Sequence, residues 1–425
     1  METKLIRRGT SRSVARLLLC VGEPSAILGR QSILAVNWIK RHSSLALASI
    51  ICASLAINLI VLVDHGVSLG GDSPRYIDGA NRILFHLTLA GKQSSYTGYI
   101  LFLAFLGYLH LSAFGVTIVQ IGFAVITGIA VYELAKHLAG QMSGLLATVI
   151  FLFTPDIFRW NRFILTDALY IDFVILVCWS AWKASERGFW TKTLSFAVVI
   201  FASSIRPDGW LLPLITLSYW ILLEFRHRQT KLFLIMALVF VFGFGVSHIR
   251  FFVTGTGNEC PVCALNDNVI IWGYPHPFEG PHDPKSLGWR YLAISVVKNP
   301  GRAMKLAISR IAVEYSGVRQ YYSPRHDVAI LPFLLSIYTA ASYGLYRHRR
   351  DPLVLLIAAI ILYHTLIIAV FFADWDGRFL DHFLPLIGVL ASSGAVLWVQ
   401  QITRPWLGTL FSLAVGSGRN THGIC

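Results

Sequence analysis

Long apolar stretches alternate with short polar segments along most of this 425-residue chain. Several of the stretches approach or exceed the roughly 18 residues that cross a bilayer as one helix. The pattern therefore predicts an all-α, polytopic membrane protein with about ten transmembrane helices. Their predicted positions are 44–63, 113–134, 142–155, 167–182, 194–206, 209–223, 232–252, 329–346, 352–372 and 382–400. Residues 97–110 are predicted to form a re-entrant or interfacial helix, because an eleventh crossing would reverse the side of every later loop.

Five parts follow from this helix pattern. They are a basic cytoplasmic tail (1–43), an N-terminal transmembrane module (44–252) with a first outer loop (64–112), an outer-face segment (253–328), C-terminal transmembrane helices (329–402) and a tail (403–425). No small-residue cleavage site follows the basic leader, so a cleaved signal is not predicted. In the outer-face segment, 253–289 is loop-like, and 291–319 is predicted to be a basic amphipathic helix on the membrane surface. The tail carries an interfacial apolar patch.

Composition and charge refine the orientation. Only 14% of the residues are charged, against about 25% in soluble proteins, and the formal net charge is +14. The basic residues cluster in short segments between apolar runs, as at 224–231 and 347–350. This is the positive-inside pattern, and it places both termini, Lys136 and Lys183 in the cytoplasm. The charge thus indicates membrane orientation, and no nucleic-acid partner is predicted.

The stretch "GGDSPRYIDGANRIL" (70–84) follows the first predicted helix and is unusually polar. Ser73 is predicted as an N-cap and Pro74 as the first helical residue, with Gly70 and Gly71 allowing a sharp turn before them. Beyond them, an apolar stripe at helical spacing indicates an amphipathic helix along the outer interface. The stripe is Ile77, Ala80, Leu84 and Leu87, and Asp78 is placed to pair with Arg82.

Asp72 precedes this helix, and its carboxylate has three candidate roles. It could accept a proton from an attacking hydroxyl, coordinate a cation, or cap the helix. Four other polar clusters fall on the same predicted outer face: Asp64-His65, 166–172, 206–210 and 374–382. Each could be a solvated loop end, but charged groups that converge from distant helices favour a site.

These motifs resemble the GT-C superfamily of integral-membrane glycosyltransferases, in the branch of the lipid A aminoarabinose transferase and the protein O-mannosyltransferases. "DSPRYIDGA" is similar to the family's Asp-x-x-x-Tyr-x-x-x-Ala and supplies Asp72, Tyr76 and Ala80. Further similar segments cover roughly residues 44 to 400: "SYTGYILFLAFLGYL", with Thr97 where Pro is common, "TDALYIDFVIL", "SSIRPDGWLLPL", "NPGRAMKLAISRI" and "DGRFLDHFLPLIGVL", with Phe379 in place of Tyr.

The resemblance implies transfer of a sugar from a polyprenyl-phosphate carrier to an acceptor hydroxyl of a lipid, glycan or protein. The catalytic residues would be Asp72, as general base, and Asp167, which would position the acceptor or help hold a divalent cation. The residues that bind the lipid phosphate or sugar would be Arg75, Tyr76, Arg206, Asp208, Arg378 and Asp381. Direct attack with one base implies inversion at the anomeric carbon. The branch implies a bacterial cytoplasmic membrane with the site facing the periplasm.

Two other functions are also compatible with this pattern. A transporter or flippase of lipid-linked or anionic substrates would explain intramembrane charge, but no inverted repeat is evident. An O-antigen-ligase-like transferase would also use a polyprenyl carrier and a large outer loop. Within that loop, "CPVC" (260–263) is predicted to form a local disulfide rather than a redox site. "HPFEGPHD" (276–283) offers metal-ligating residue types, although a solvated loop or a substrate contact is favoured over a metal site.

Overall fold

The computed structural model describes residues 41–89, 91–185, 187–224, 269–271 and 296–417, with side chains up to residue 403 in the last helix. The chain divides into two compact units, Met1–Ser49 and Ile50–Cys425. Residues 41–49 are the described part of the first unit, and they contain the start of the first helix. The contacts below all belong to the second unit. The CPVC and HPFEGPHD motifs lie outside the described residues.

Helices account for nearly all regular structure in the described ranges, which contain no β-sheet. They are α1 Ser43–His65, α2 Ser73–His86, α3 Thr97–Tyr108, α4 Ala113–Ala139, α5 Gln141–Phe153, α6 Pro155–Phe158, α7 Thr166–Ser185, α8 Phe189–Ile205, α9 Leu212–Glu224, α10 Pro300–Ser316, α11 Pro324–Arg347, α12 Pro352–Val370, α13 Arg378–Asp381 and α14 Leu384–Ser417. Short 3₁₀ turns occur at Gly91–Tyr96, Arg159–Arg162 and Pro207–Gly209. The predicted all-α, polytopic class is confirmed.

Six of the described helices are long and apolar enough to cross a membrane: α1, α4, α7, α11, α12 and α14 up to Thr403. A seventh span results if α5 and residues 155–162, which bend by 55° at their junction, count as one. The predicted spans at 194–206 and 209–223 correspond to the shorter α8 and α9, and 232–252 lies outside the described residues. The count of ten remains a prediction. At 12 residues α3 is about 18 Å long, which is too short to cross alone.

Small residues allow α11 and α14 to pack closely. A Cβ added at Gly344 would overlap the carbonyl oxygen of Leu390, and one added at Gly394 would overlap that of Ala340. Close backbone approach at small residues is the usual way in which membrane helices associate. The helix α14 then continues to Ser417, through the predicted boundary at 402.

Two polar ends distinguish the bundle. At one end, Glu133 of α4 pairs with Lys136 at 3.3 Å and with Lys183 of α7 at 3.5 Å. His137 pairs there with Asp351 at 3.2 Å. The helix α7 begins at the other end of the bundle, where Thr166 belongs to the predicted outer cluster 166–172. The two lysines that the charge pattern assigned to one side therefore meet, although the side of the membrane itself stays a prediction.

The start of α2 differs from its prediction. The helix begins at Ser73 itself, and Asp72 is the N-cap residue without any side-chain capping bond. The hydroxyl of Ser73 instead accepts a bond from the Gly70 amide at 2.8 Å and donates one to the Ile164 carbonyl at 2.8 Å. The prediction of Ser73 as N-cap is therefore wrong, because its hydroxyl joins this turn to the segment before α7.

Gly70 begins the predicted turn, which is closed by a bond from the Ser73 amide to the Gly70 carbonyl at 3.1 Å, and it also allows close packing. Neither Gly70 nor Gly71 is among the residues with positive φ. A Cβ on Gly70 would lie 2.9 Å from a methyl group of Leu165. A larger residue would thus push the turn that carries Asp72 away from the start of α7.

The face of α2 that packs inward is also different from the predicted stripe. The buried residues are Ser73, Tyr76, Gly79 and Ala80. Ile77 and Leu84 are exposed, and Leu87 lies beyond the helix end. Exposed apolar side chains suit contact with lipid, as expected of an interfacial helix. The predicted pair of Asp78 and Arg82 is confirmed at 2.8 Å.

Candidate active site

Three of the predicted polar clusters meet at the start of α7. Asp167, whose side chain is 1% exposed, accepts a hydrogen bond from Arg206 Nη1 at 2.8 Å. His382, in the segment between α13 and α14, places its Nε2 3.2 Å from the same oxygen. The first turn of α7 is thereby joined to the turn after α8 and to the loop before α14.

Arg206 makes further hydrogen bonds within this cluster. Its Nε donates to Asp208 at 3.0 Å, and its Nη1 also donates to the Thr166 hydroxyl at 3.0 Å. Burial by itself would raise the pKa of Asp208, but Arg206 and His382 outweigh it and hold that pKa well below its usual range. Arg206 and Asp208 thus form a buried ion pair that no substrate needs to complete.

His382 bridges the two carboxylates of the cluster. Its Nε2 faces Asp167, and its Nδ1 lies 3.3 Å from an oxygen of Asp208. The imidazole is completely buried and packs edge-on against the Tyr170 ring, 4.9 Å between centroids. His382 lies within a segment singled out from the sequence, but its neighbours Arg378 and Asp381 were predicted as site residues instead.

Arg378 connects the buried cluster with a more open region. Its guanidinium donates two bonds to Asp374, at 3.1 and 3.0 Å, and lies 3.8 Å from Asp167. Burial lowers the pKa of Arg378, but Asp374 and Asp167 more than reverse this effect and raise it. The side chain remains 23% exposed, so this cation can still meet a ligand.

A cleft of about 320 Å³ opens beside Arg378. Asp72 lines it from the turn before α2, and the side chain of Asp72 is 37% exposed. Arg75 lies one helical turn further on, 3.3 Å from the carboxylate of Asp72. The remaining lining residues are Gly70, Gly71, Arg159, Trp160, Phe163, Leu165 and Asp376. A predicted base and a predicted phosphate ligand therefore border one cavity of ligand size.

Two residues of this cleft were missed in the sequence. Arg159 lies 4.5 Å from the centre of the Trp160 ring and donates to the backbone carbonyl of Asp376 at 2.9 Å. Trp160 in turn donates its indole N–H to Asp381 at 2.9 Å. The segment "RWNR" was the available signal, since it lies on the predicted outer face. Its composition is equally typical of a membrane-interface belt, so the sequence alone does not single it out.

The other predicted residues lie behind the cleft or away from it. Tyr76 is buried against Tyr96 and Tyr99, with ring centroids 5.1 and 5.3 Å apart. Asp381 is buried beneath Trp160, and burial raises its pKa well above the usual value. The exposed Asp64 pairs with its neighbour His65 at 2.9 Å, outside the cluster.

A second layer of hydrogen bonds holds the wall of the cleft. Gln120 of α4 donates to the carbonyls of Asn161 and Phe163, at 3.1 and 2.9 Å, and accepts a bond from Tyr99. Asn161 donates to Asn58 of α1 at 3.0 Å. The turn that carries Arg159 and Trp160 is thus tied to three helices.

In the described ranges, no group of three or more His, Cys, Asp or Glu residues is arranged to hold a metal ion.

Residues 97–246, roughly a third of the chain, match the family model described as dolichyl-phosphate-mannose-protein mannosyltransferase. Over this range the chain is similar to that family of mannosyltransferases. The matched range contains Asp167, Arg206 and Asp208, whereas Asp72 precedes it and Arg378 follows it. The family that this model describes consists of enzymes rather than transporters.

One solved structure matches a larger part of this chain. It is the oligosaccharyltransferase AglB from Archaeoglobus fulgidus, in complex with an inhibitory peptide and a dolichol-phosphate. The TM-score is 0.48 and the identity 12%, over 89% of this chain and 52% of that chain. The present chain therefore spans about half the length of that protein. No curated protein matches the sequence significantly.

Proposed function

We propose that this protein transfers a sugar from a polyprenyl-phosphate carrier to an acceptor hydroxyl within the cleft beside Arg378. The observation that carries the proposal is that Asp72 and Arg378 line the same cavity of about 320 Å³. A carboxylate and a guanidinium at one cavity are the two groups that this reaction needs, a base for the acceptor and a cation for the leaving phosphate.

Asp72 is the proposed general base. An alcohol is a poor nucleophile near neutral pH, so removal of its proton during attack accelerates transfer by about 10²–10⁴-fold. The acceptor oxygen forms a bond to the anomeric carbon as the bond from that carbon to the phosphate oxygen breaks, and the proton passes to Asp72. This role is supported because the carboxylate of Asp72 does not cap α2, although it pairs with Arg75 at 3.3 Å. Single displacement inverts the anomeric carbon.

Arg378 and Arg159 are the proposed ligands of the lipid phosphate. Both line the cleft, and both guanidinium groups lie over the Trp160 ring, at 6.0 and 4.5 Å. Fixed arginines stabilise the charge that builds on a departing phosphate without reorganising during the reaction. Arg75, also predicted as a ligand, is proposed to orient Asp72 through their ion pair.

The buried cluster is proposed to position these groups. Asp167 and Asp208 are occupied by Arg206 and His382, so we assign them to the placement of the Arg378 loop and of α7. Tyr76 packs the first turn of α2 against Tyr99 of α3, and Asp381 anchors Trp160. A divalent cation near Asp72 remains part of the sequence-based proposal, as do the periplasmic face of a bacterial cytoplasmic membrane and a lipid, glycan or protein acceptor.

A strain of the source organism that lacks this protein tests the proposal. We expect one sugar to be missing from its envelope glycolipids, polysaccharides or glycoproteins by mass spectrometry. The matching polyprenyl-phosphate sugar should accumulate in the lipid extract, and the cloned gene should reverse both changes. Unchanged glycoconjugates and an unchanged lipid-linked sugar pool would refute the proposal.

A further inference from the structure

Glu314 lies on α10 with its side chain completely buried, and it holds the loop that carries Arg378. One of its carboxylate oxygens accepts a bond from the Asp374 amide at 2.9 Å, and the other accepts one from the Leu380 amide at 3.0 Å. These two amides stand on either side of Arg378 in the chain. A single carboxylate therefore ties together the two ends of this segment, 374–380, called here the arginine loop.

Arg319 completes the attachment. Its guanidinium donates to Glu314 at 2.8 Å and to the Asp374 carbonyl at 3.0 Å, and both charged side chains are 0% exposed. Between the two attached ends, Gly377 has a φ of 72°, a left-handed conformation that glycine adopts readily. The loop is thus closed by buried bonds at its base and reverses direction just before Arg378.

The loop sets the direction of the guanidinium that borders the cleft. The carboxylate of Asp374 accepts two bonds from Arg378, while the backbone of Asp374 is held by Glu314 and Arg319. Glu314 itself does not line the cleft. Any effect of Glu314 on the substrate would therefore act through Asp374 and Arg378.

We infer that Glu314 is a positioning residue, which places Arg378 against the lipid phosphate by fixing the arginine loop. This inference rests on the proposed function of the cleft. It adds a residue from α10 to the site, three residues after the segment "NPGRAMKLAISRI" (299–311) that resembles the family.

The ionisation of Glu314 gives the attachment a pH dependence. Burial raises the pKa of Glu314 to about 7, while Arg319 lowers it and Asp374 raises it. A small cavity of about 20 Å³ beside this carboxylate is lined by Asp156, Asp376, Asp381, Tyr322 and His326, together with apolar residues. Arg319 and two amides all donate to the carboxylate, so a proton on it would displace one donor. A change in the protonation of Glu314 near pH 7 therefore alters the hydrogen bonds at the base of the arginine loop.

Binding of a polyprenyl monophosphate to the purified full-length protein tests the inference. Glu314→Gln keeps the size of the side chain but turns an amide N–H₂ towards a donor. We expect it to weaken binding about tenfold at about pH 8, the effect of losing one charge-assisted hydrogen bond. At about pH 6, where wild-type Glu314 is largely protonated, the difference between the two proteins should shrink.

Glu133→Gln is the matched control, since Glu133 is also ion-paired but lies at the other end of the bundle. It should bind like the wild type at both pH values. In an Arg378→Gln background, Glu314→Gln should add little, because the residue through which it acts is gone. A purely structural role would give the same loss in both backgrounds.

The outcomes separate the inference from the function on which it rests. If wild type and Glu133→Gln do not bind polyprenyl phosphate, the proposed function fails, and the inference fails with it. If they bind and Glu314→Gln binds equally well at about pH 8, the positioning role alone is refuted. If Glu314→Gln does not fold, amide exchange in the wild type decides. The Asp374 and Leu380 amides, which both donate to the buried carboxylate, should exchange slowly, and fast exchange of both amides would overturn the inference.

Discussion

Arg378 is the side chain on which substrate recognition depends most strongly in this account. Arg378→Lys keeps the charge but cannot make both bonds to Asp374, and Arg378→Gln removes the charge. We expect binding of polyprenyl phosphate to fall in the order wild type, lysine, glutamine, with a loss of about tenfold or more for glutamine. Arg82→Gln, on the exposed side of α2, is the control. Equal affinity in all four proteins would remove Arg378 from the site.

Asp374 and Asp381 lie close in the chain, but their contributions to the stability of the fold should change with pH in opposite directions. Burial raises the pKa of Asp374, yet Arg378 outweighs it, and the net pKa is below the usual 3.8. Its contribution to stability is therefore present above that value and is lost as the pH falls through its folded pKa. The pKa of Asp381 is raised instead. Its contribution to stability is therefore present below the usual value of 3.8 and is lost as the pH rises.

Thermal unfolding of the two asparagine variants near neutral pH tests this contrast. Asp374→Asn should lower the melting temperature, because Arg378 loses a charged partner. Asp381→Asn should leave it nearly unchanged, because the amide oxygen can still accept the bond from Trp160. The opposite order of melting temperatures would contradict the assigned charge states.

At the scale of elements, the start of α2 contains one residue with a structural role, Ser73, and one with a proposed catalytic role, Asp72. Ser73→Ala removes both bonds that join Gly70 to the segment before α7, and we expect it to cost about 1–3 kcal/mol of unfolding free energy. Asp72→Asn should be nearly neutral, because Asp72 makes no capping bond. Denaturation of both variants in matched detergent measures this. A large loss for Asp72→Asn would assign the carboxylate to the fold instead.

The crossing of α11 and α14 supplies a second prediction for an element. Gly344→Ala would force its Cβ into the carbonyl of Leu390, so the helices must separate and the melting temperature should fall markedly. Gly122→Ala, on α4 with nothing within 4 Å, should instead be neutral or stabilising, since alanine favours a helix. Similar effects of the two substitutions would contradict the close crossing.

For the molecule as a whole, the sequence predicted the all-α, polytopic class because long apolar helices have a strong pattern. It also predicted that 166–172, 206–210 and 374–382 would supply one site, since buried charges in a membrane need partners. Which of these residues border the cleft and which are buried behind it could not be predicted. Asp72 and Arg378 border the cleft, whereas Arg206 and Asp167 neutralise each other in the interior. Only the packing of the helices decides which charges are covered.

Distance along the chain explains the residues that were missed. Glu314 reaches Leu380 across 66 positions, and Arg159 reaches Asp376 across 217. Local periodicity does not reveal contacts of that kind. The start of α2 was mistaken for a related reason, because the hydroxyl of Ser73 finds its partner at Ile164 rather than in its own helix.

The most direct test of the central claim is complementation with Asp72→Asn. A strain that lacks the protein is supplied with the wild type or with this variant at equal, folded levels, and its glycoconjugates are compared by mass spectrometry. The account predicts that the wild type restores the missing sugar and that Asp72→Asn does not, because the acceptor hydroxyl keeps its proton. Normal transfer by Asp72→Asn would contradict it.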